Sequence, residues 1–455
     1  MMVTAIGLLV GVAASIDSAA AKFAASKFGV SEEVVELQTA VFLIGFGLAA
    51  PIFGPMSEIG GRNPVYVLTL LMFVLFEIGS ALAPNIQTRV ILRFFAGFFG
   101  STPLSNAGGS IADIVNSRQR TFVFPIFANA GFLGPVLGPA MGGYLGWKVG
   151  EEWCEWLVAI WGAALLLVVL CFMPETYAPT LLKMKAQQIR RATGDKRYRT
   201  ALEMQRDTVP FKQAFRHSLA MPFLYLIYEP IVLLVSLYMT MIYIILFGNF
   251  EAYPVIYEPF GLNPGEIGLT FISVAIGLFV TTAFTPILYK RYVTLQKTAQ
   301  DTALEKGKKD WEERLPEPEE RLVVAMLGTW LVPISLFYQG WTCFPGKVSV
   351  WVPISSGILF GAGILTCFVA SYQYIIDVYQ TGSASALASL TFTRYIVSGG
   401  AVMFTTPMYR SLGTHWALSL LAFLSLVFSF IPWLFYFFGK RVRTWSRYTP
   451  PVEDE

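Results

Sequence analysis

Runs of about 20 mainly apolar residues recur along this chain, and no other feature narrows its fold so sharply, because a helix of that length is what crosses the hydrocarbon of a bilayer. Twelve such runs are read in the 455 residues: 3–22, 37–57, 65–83, 89–112, 121–146 and 156–173, then 223–249, 266–289, 322–341, 350–373, 385–407 and 415–438. The first contains small residues near a cleavage-like site. It lacks a basic leader and carries Asp17, so it is read as a span and not as a signal peptide. The composition agrees with a membrane protein: 55% of residues are hydrophobic and 14% charged, with mean hydropathy +0.57. Soluble domains carry roughly a quarter charged residues. The expected fold class is all-α, with 12 transmembrane helices in two six-helix bundles.

The basic residues set the expected orientation. Of 33 Lys and Arg, 25 fall in the segments holding Arg62, Arg118 and Arg120, residues 174–222, residues 290–321 and the tail from Lys440. The alternate loops hold six, and only Arg93 and Arg394 lie within spans. By the positive-inside rule both termini face the cytoplasm. The net charge of +3 therefore reports topology and gives no hint of nucleic acid. Four cysteines and two histidines show no metal-like spacing, and neither a Walker loop nor a GxSxG or HExxH motif occurs. No metal site, cofactor or catalytic residue is expected, and the chain is not read as an enzyme.

Six spans lie on each side of the polar stretch that begins PETYAPTLLKMKAQQIRRATGDKR. The expected organisation is an amino-terminal bundle over 1–173, a cytoplasmic central loop over 174–222, a carboxy-terminal bundle over 223–439 and a cytoplasmic tail over 440–455. Duplicated transporters of this kind hold substrate near the midplane between their halves. Residues 290–321, with eight basic and eight acidic side chains, read as a solvated connector, with a short surface helix as the alternative.

Within the fifth span, GFLGPVLGPAMGGYLG places Gly134, Gly138 and Gly142 four residues apart, with Pro139 and Gly143 beside them. Such a stripe faces one side of a helix and lets a neighbouring backbone approach closely. Pro135 and Pro139 remove backbone donors and predict a bend. This string resembles the antiporter motif on the fifth helix of major facilitator superfamily exporters, where the stripe packs on another helix of the same half and serves as hinge and seal.

The loop GPMSEIGGRNPVY resembles the cytoplasmic signature of that superfamily, with Gly54, Glu58, Gly61 and Arg62 matching. Asn63 and Ile59 stand where further basic residues are common. Gly54 and Gly61 permit a tight reversal, and an acid such as Glu58 can face the positive end of a helix. In the family the loop's basic residue pairs with an acid at the cytoplasmic end of the fourth helix, here Asp113. The resemblance thus makes Glu58, Arg62 and Asp113 a conformational lock.

Arg93, Gly97 and Gly100 match the RxxxGxxG core of a further family pattern. A charge about one turn inside the membrane costs on the order of 3 kcal/mol, so Arg93 should face a wet cavity or a partner, or snorkel to the surface. Asp17 lies at similar depth, and the pair is the expected proton-coupling site, since desolvation and a nearby Arg shift a carboxylate in opposite directions. Glu77 and Glu251 are further coupling candidates; Glu77 is the one expected to bond a neighbouring helix instead. Glu251 is placed at the outer end of the seventh span, and Glu229 at its cytoplasmic start. Asn106, Tyr238, Tyr243, Phe250 and Arg394 are candidates for the substrate cavity, where aromatic rings suit a cationic or planar molecule.

PETYAP, LFGNFEAYP, SALASLTFTRY and TTPMYRSLGTHWALSLLAF resemble the twelve-helix fungal drug:proton antiporter branch of the superfamily, over nearly the whole chain. That branch handles drugs, polyamines and small organic metabolites. Its members usually have a longer cytoplasmic amino terminus, so the start of this chain is expected to be truncated or divergent. The resemblance implies a monomeric exporter working by alternating access, with the proton gradient as energy source, in the plasma membrane or alternatively the vacuolar membrane. Facilitated diffusion, and a transporter-like receptor, stand as alternatives. Two intramembrane arginines suit a carboxylate substrate, three intramembrane acids a cationic one, and mutual pairing of these charges a neutral one.

Overall fold

The computed structural model describes residues 1–195, 197–200, 203–204, 211–305 and 315–448. Parts of the expected central loop, connector and tail, namely residues 196, 201–202, 205–210, 306–314 and 449–455, lie outside the described residues.

Ten helices are long and apolar enough to cross a membrane. Among the described residues they run Met2–Phe28, Glu32–Gly60, Arg62–Ala81, Ser117–Lys148, Trp153–Phe172, Pro230–Phe260, Pro264–Glu305, Pro318–Thr342, Trp351–Tyr379 and Ser383–Arg443. The fourth expected span is present as two shorter helices end to end, Ile86–Gly100 and Thr102–Ala112. The last stretch is two crossings joined at Gly413, whose φ of 75° and ψ of 159° are non-helical. The architecture is therefore consistent with twelve crossings, and the ordinals below follow that order.

Several helices are longer than their apolar runs. The second begins at Glu32 and the sixth at Trp153, which carries Glu36 and Glu155 into the bundle. The eighth continues to Glu305, so residues 290–305 are helical and the connector reading is corrected there. Residues 223–228, expected in the seventh span, belong to a separate helix, Phe211–Tyr228, and the seventh starts afresh at Pro230. The break at Glu229 follows from Pro230, which disfavours helical backbone in the residue before it.

The two halves repeat one pairing pattern. In the first half the first helix packs on the fifth, the second on the fourth, and the third on the fourth and sixth. In the second half the seventh packs on the eleventh, the eighth on the tenth, and the ninth on the tenth and twelfth. The crossing of second on fourth is set by Gly45 against Phe94 and Gly97 against Phe42. Its counterpart, eighth on tenth, is set by Gly277 against Ile358 and Gly361 against Val274. Each glycine meets a backbone carbonyl where a Cβ would overlap it. Lipid offers no hydrophobic drive between helices, so this close backbone contact is what holds such pairs.

The halves meet where the second helix packs on the eleventh and the fifth on the eighth. On the fifth helix, Gly134, Gly138 and Gly142 lie against Leu8, Val12 and Ile16 of the first, and Gly143 lies against Pro264 of the eighth. The helix runs unbroken through Pro125, Pro135 and Pro139. Proline at 139 has no N–H to offer the carbonyl four residues back. That carbonyl, of Pro135, instead accepts from Ser15 Oγ of the first helix at 2.8 Å.

A methyl added at Gly142 overlaps the Ile16 carbonyl. Gly142→Ala is expected to lower stability by about 1–3 kcal/mol, seen as an earlier thermal unfolding of the detergent-solubilised protein. Gly400→Ala, where a Cβ meets nothing within 4 Å, should leave the transition in place.

Candidate functional site

Ser15 lies where the first helix breaks. Its opening segment ends at Ala13, a turn carries residues 14–17, and a short 3-10 turn, Ser18–Ala20, leads into Ala21–Phe28. The break points Asp17 at the fourth helix, where Arg93 is fully buried. Arg93 Nη2 lies 2.5 Å from Asp17 Oδ2 as an ion pair, although neither Asp17 oxygen has a donor in hydrogen-bonding line. The same nitrogen donates to the Ala13 carbonyl at 2.5 Å. Arg93 Nη1 donates to both oxygens of Glu77 at 2.9 and 3.0 Å, and the guanidinium lies over the Phe42 ring at 4.9 Å.

The expected Asp17–Arg93 pair is thus formed inside the bundle, and Arg93 does not snorkel. Glu77 joins it from the third helix, bonded to a neighbouring helix as expected. One turn along, Arg89 is also buried and binds Glu151 and Glu155, with Lys27 reaching Glu151 at 2.7 Å and the exposed Glu152 at 2.8 Å. The sequence reading put Arg89 at the very start of the fourth span, counted it with the loop charges, and passed over both glutamates. The four-residue spacing of Arg89 and Arg93, which puts both on one helix face, was the available signal.

A second cluster joins the halves at the same end. Glu36 of the second helix accepts from Thr406 of the eleventh at 2.6 Å. Glu36 and Glu251 line a cavity of about 160 Å³ together with Lys22, Glu258, Thr406 and Arg410. Glu251 is buried within the seventh helix, which runs on to Tyr257, so its placement at the helix end is corrected.

At the basic end, Arg62 Nε donates to Asp113 Oδ2 at 3.1 Å and its Nη1 to Ser57 at 2.5 Å. Burial pushes the Asp113 carboxyl above its ordinary value, opposed by Arg62. Gly61 makes the reversal with φ 100°, whereas Gly54 is helical and takes no part in it. Glu58 forms no hydrogen bond or ion pair among the described residues. Its expected place is filled by Glu175, which accepts from the backbone N–H groups of Arg62 and Asn63 at 2.9 and 3.2 Å, and of Thr176 and Tyr177 at 2.9 Å each. One carboxylate thus caps the third helix and the start of the helix Ala178–Thr193, where helix dipoles favour negative charge.

Across the halves at this end, Asp377 of the tenth helix holds both Arg120 of the fifth and, at 2.8 Å, Arg321 before the ninth. Arg321 also donates to Thr121 at 2.7 Å and to Gln373 at 2.8 Å. The sequence reading missed this latch, whose members are far apart in the chain.

Between these ends lies an aromatic centre. Arg394 of the eleventh helix is fully buried, its guanidinium 4.5 Å from the Tyr243 ring, 5.0 Å from Tyr395 and 5.2 Å from both Phe368 and Tyr372. Tyr238 and Phe250 are buried on the same seventh helix, Tyr238 beside Cys367 and Phe250 against Phe247 and Phe271. Asn106 donates to the Phe53 carbonyl of the second helix at 3.3 Å. It lies apart from this centre.

A helical bundle in two like halves, with charges held between its helices and a latch across one end, is a membrane-transporter fold. The chain belongs to the major facilitator superfamily, whose model matches residues 3–402. The MFS-type transporter kojT of Aspergillus oryzae is 40% identical over 447 residues, 98% of this chain and 77% of that one. The Major facilitator superfamily multidrug transporter mdrA of Aspergillus fumigatus is 36% identical over 426 residues, 93% of this chain and 67% of that one. The MFS-type efflux pump MFS2 of Trichophyton rubrum is 38% identical over 420 residues, 92% and 68% of the two chains. In solved structures the fold is shared with the proton:xylose symporter XylE, at TM-score 0.65 and 17% identity over 96% of this chain and 94% of that one. The protein is an integral, multi-pass membrane transporter and not an enzyme.

Arg93→Ala would leave Asp17 and Glu77 buried without their cation, and is expected to cost about 3–5 kcal/mol. Thermal unfolding in detergent should fall accordingly. The triple change Arg93→Leu, Asp17→Asn, Glu77→Gln removes the charges together and should recover most of the loss.

Proposed function

We propose that this protein is a proton-coupled exporter of small organic molecules, working by alternating access in the manner of the fungal drug:proton antiporters. The observation that carries the reading is the charge balance around Arg93. The enclosed Arg89 and Arg93 face four buried carboxylates, on Asp17, Glu77, Glu151 and Glu155, while the half-exposed Lys27 reaches Glu151 and the exposed Glu152. Excess negative charge in a low-dielectric bundle is costly, and it is relieved by a bound proton. Asp17 is the carboxylate best placed to take it, because it sits on the break of the first helix and its oxygens lack hydrogen-bond donors. Any movement of the break alters its contact with Arg93, and so its hold on the proton. Glu251 and Glu36 form a second acidic station on the path between the halves.

The gate reading rests on Arg62, Asp113 and Glu175, with the Asp377 latch holding the halves together at the same end. We take that end as cytoplasmic from the distribution of Lys and Arg, with both termini on that side. We take residues 1–173 and 223–439 as the two moving bodies, 174–222 as the loop between them and 440–455 as the tail. The export direction draws on relatives named as an efflux pump and a multidrug transporter. A plasma-membrane monomer is the form proposed.

In proteoliposomes carrying a pH gradient, a small dicarboxylate, a polyamine and a lipophilic cationic drug are compared with and without an uncoupler. Accumulation of one class, abolished by the uncoupler, is expected. Asp17→Asn should lose gradient-driven accumulation while keeping substrate exchange down its own gradient. Accumulation unchanged by the uncoupler would leave a facilitator in place of an antiporter.

A further inference from the structure

The two intramembrane arginines are not equivalent. Arg93 is neutralised by Asp17 and Glu77. Arg394 is as deeply buried, yet it forms no ion pair among the described residues; the Tyr372 and Tyr395 hydroxyls are polar neighbours, but neither makes a well-aligned hydrogen bond to its Nε, Nη1 or Nη2. Its surroundings are the rings of Tyr243, Phe368, Tyr372 and Tyr395. Ring faces attract a cation but accept no in-line hydrogen bonds of carboxylate strength. A buried guanidinium with no carboxylate partner, and only neutral hydroxyls beside it, is costly unless an anion completes it.

The position lies at the seam between the two halves. The cage forms the wall of the second half where it meets the first: Tyr395 lies 4.2 Å from Phe46, Phe368 lies 5.0 Å from Phe132, and Tyr243 lies 5.9 Å from Phe132. A void between these rings has a volume of only about 10 Å³. The halves are therefore closed on one another at this level, and admitting a molecule means parting Phe46 and Phe132 from the tyrosines.

We propose that Arg394 is the anchor for an anionic group on the transported molecule, and that the substrate is a small organic acid with a planar or aromatic body. A carboxylate or similar anion would take the guanidinium donors in a bidentate pair. The planar body would stack among Tyr243, Phe132 and Tyr395, where offset and edge contacts are favourable. The same cage disfavours polyamines and cationic drugs, whose charge would sit beside an uncompensated arginine. The inference depends on the exporter reading only for placing this site on a transport path; the binding chemistry stands without it.

The test is equilibrium binding to the full-length protein in detergent, with no gradient present. Benzoate and cinnamate are compared with their amides and with benzylamine, following thermal stabilisation and titration calorimetry. Cinnamate should bind the wild type at least tenfold more tightly than cinnamamide, and benzylamine should not bind. Arg394→Gln should lose about tenfold or more of the carboxylate affinity, the loss of one charge-assisted pair. Its amide binding should be unchanged, which also shows that the variant is folded. Should Arg394→Gln fail to fold, the wild-type ranking of acid, amide and amine decides alone. Equal affinity for acid and amide, preference for the amine, or carboxylate binding that survives in Arg394→Gln overturns the proposal. Carboxylate binding and movement that ignore the proton gradient would sustain the anchor and sink the antiporter.

Discussion

The hydrogen bond from Ser15 Oγ to the Pro135 carbonyl is small, but the placing of the charged groups depends on the contact it marks. Pro139 frees that carbonyl by lacking an N–H, and Gly134, Gly138 and Gly142 bring the first helix close enough to use it. The first helix is thus held to the fifth over Leu8 to Ile16, and its regular geometry ends at Ala13, within that stretch. Asp17 sits on the irregular turn, and Ala13, at the end of the regular segment, gives its carbonyl to Arg93. Residues that weaken a helix in water serve here as its attachment and its break, because lipid supplies no competing donors.

The halves use one helix-pairing pattern for two electrical ends. The first half keeps its charges to itself: Arg89 and Arg93 are enclosed by four carboxylates from the first, third and sixth helices and the turn before the sixth. The second half leaves Arg394 among rings. The interface carries its own polar contacts at its two ends, the Asp377 latch at one and Glu36–Thr406 at the other, with an almost wholly aromatic centre. Polar contacts at the ends can exchange partners with water, whereas the centre holds a single buried guanidinium among rings.

Much of this was legible in the chain. Apolar length gave the crossings, and the fifth-helix string gave the close contact, because both are local patterns with a fixed physical reading. Arg93 and Asp17 were legible because ionisable residues inside a span are expensive. The errors share a cause: hydropathy marks where lipid begins, not where a helix begins. Glu36 and Glu155 each lie one residue before an expected span, yet both are helical or buried within the bundle. Glu175 was passed over because its role is to cap backbone N–H groups on two helices, which no side-chain pattern announces. Arg120, Arg321 and Asp377 span more than 250 positions, and only the folded chain puts them together.

The two arginine sites are also joined mechanically. Phe42 and Phe46 stand four residues apart on the second helix and so share a face. Phe42 lies under the Arg93 guanidinium at 4.9 Å, and Phe46 lies on Tyr395 at 4.2 Å, the neighbour of Arg394 in the chain and in the cage. Gly45, between them in the sequence, and Gly47, just after Phe46, clamp the helix against Phe94 of the fourth and Phe392 of the eleventh. Close-packed side chains transmit displacement and do not absorb it. Were the cage parted at Phe46, the helix that covers Arg93 would be displaced with it, and a change in the Asp17–Arg93 contact would bear on the same two rings. A single rigid element thus connects the place where an anion would be held to the place where a proton would be exchanged, as coupled transport requires of its two sites.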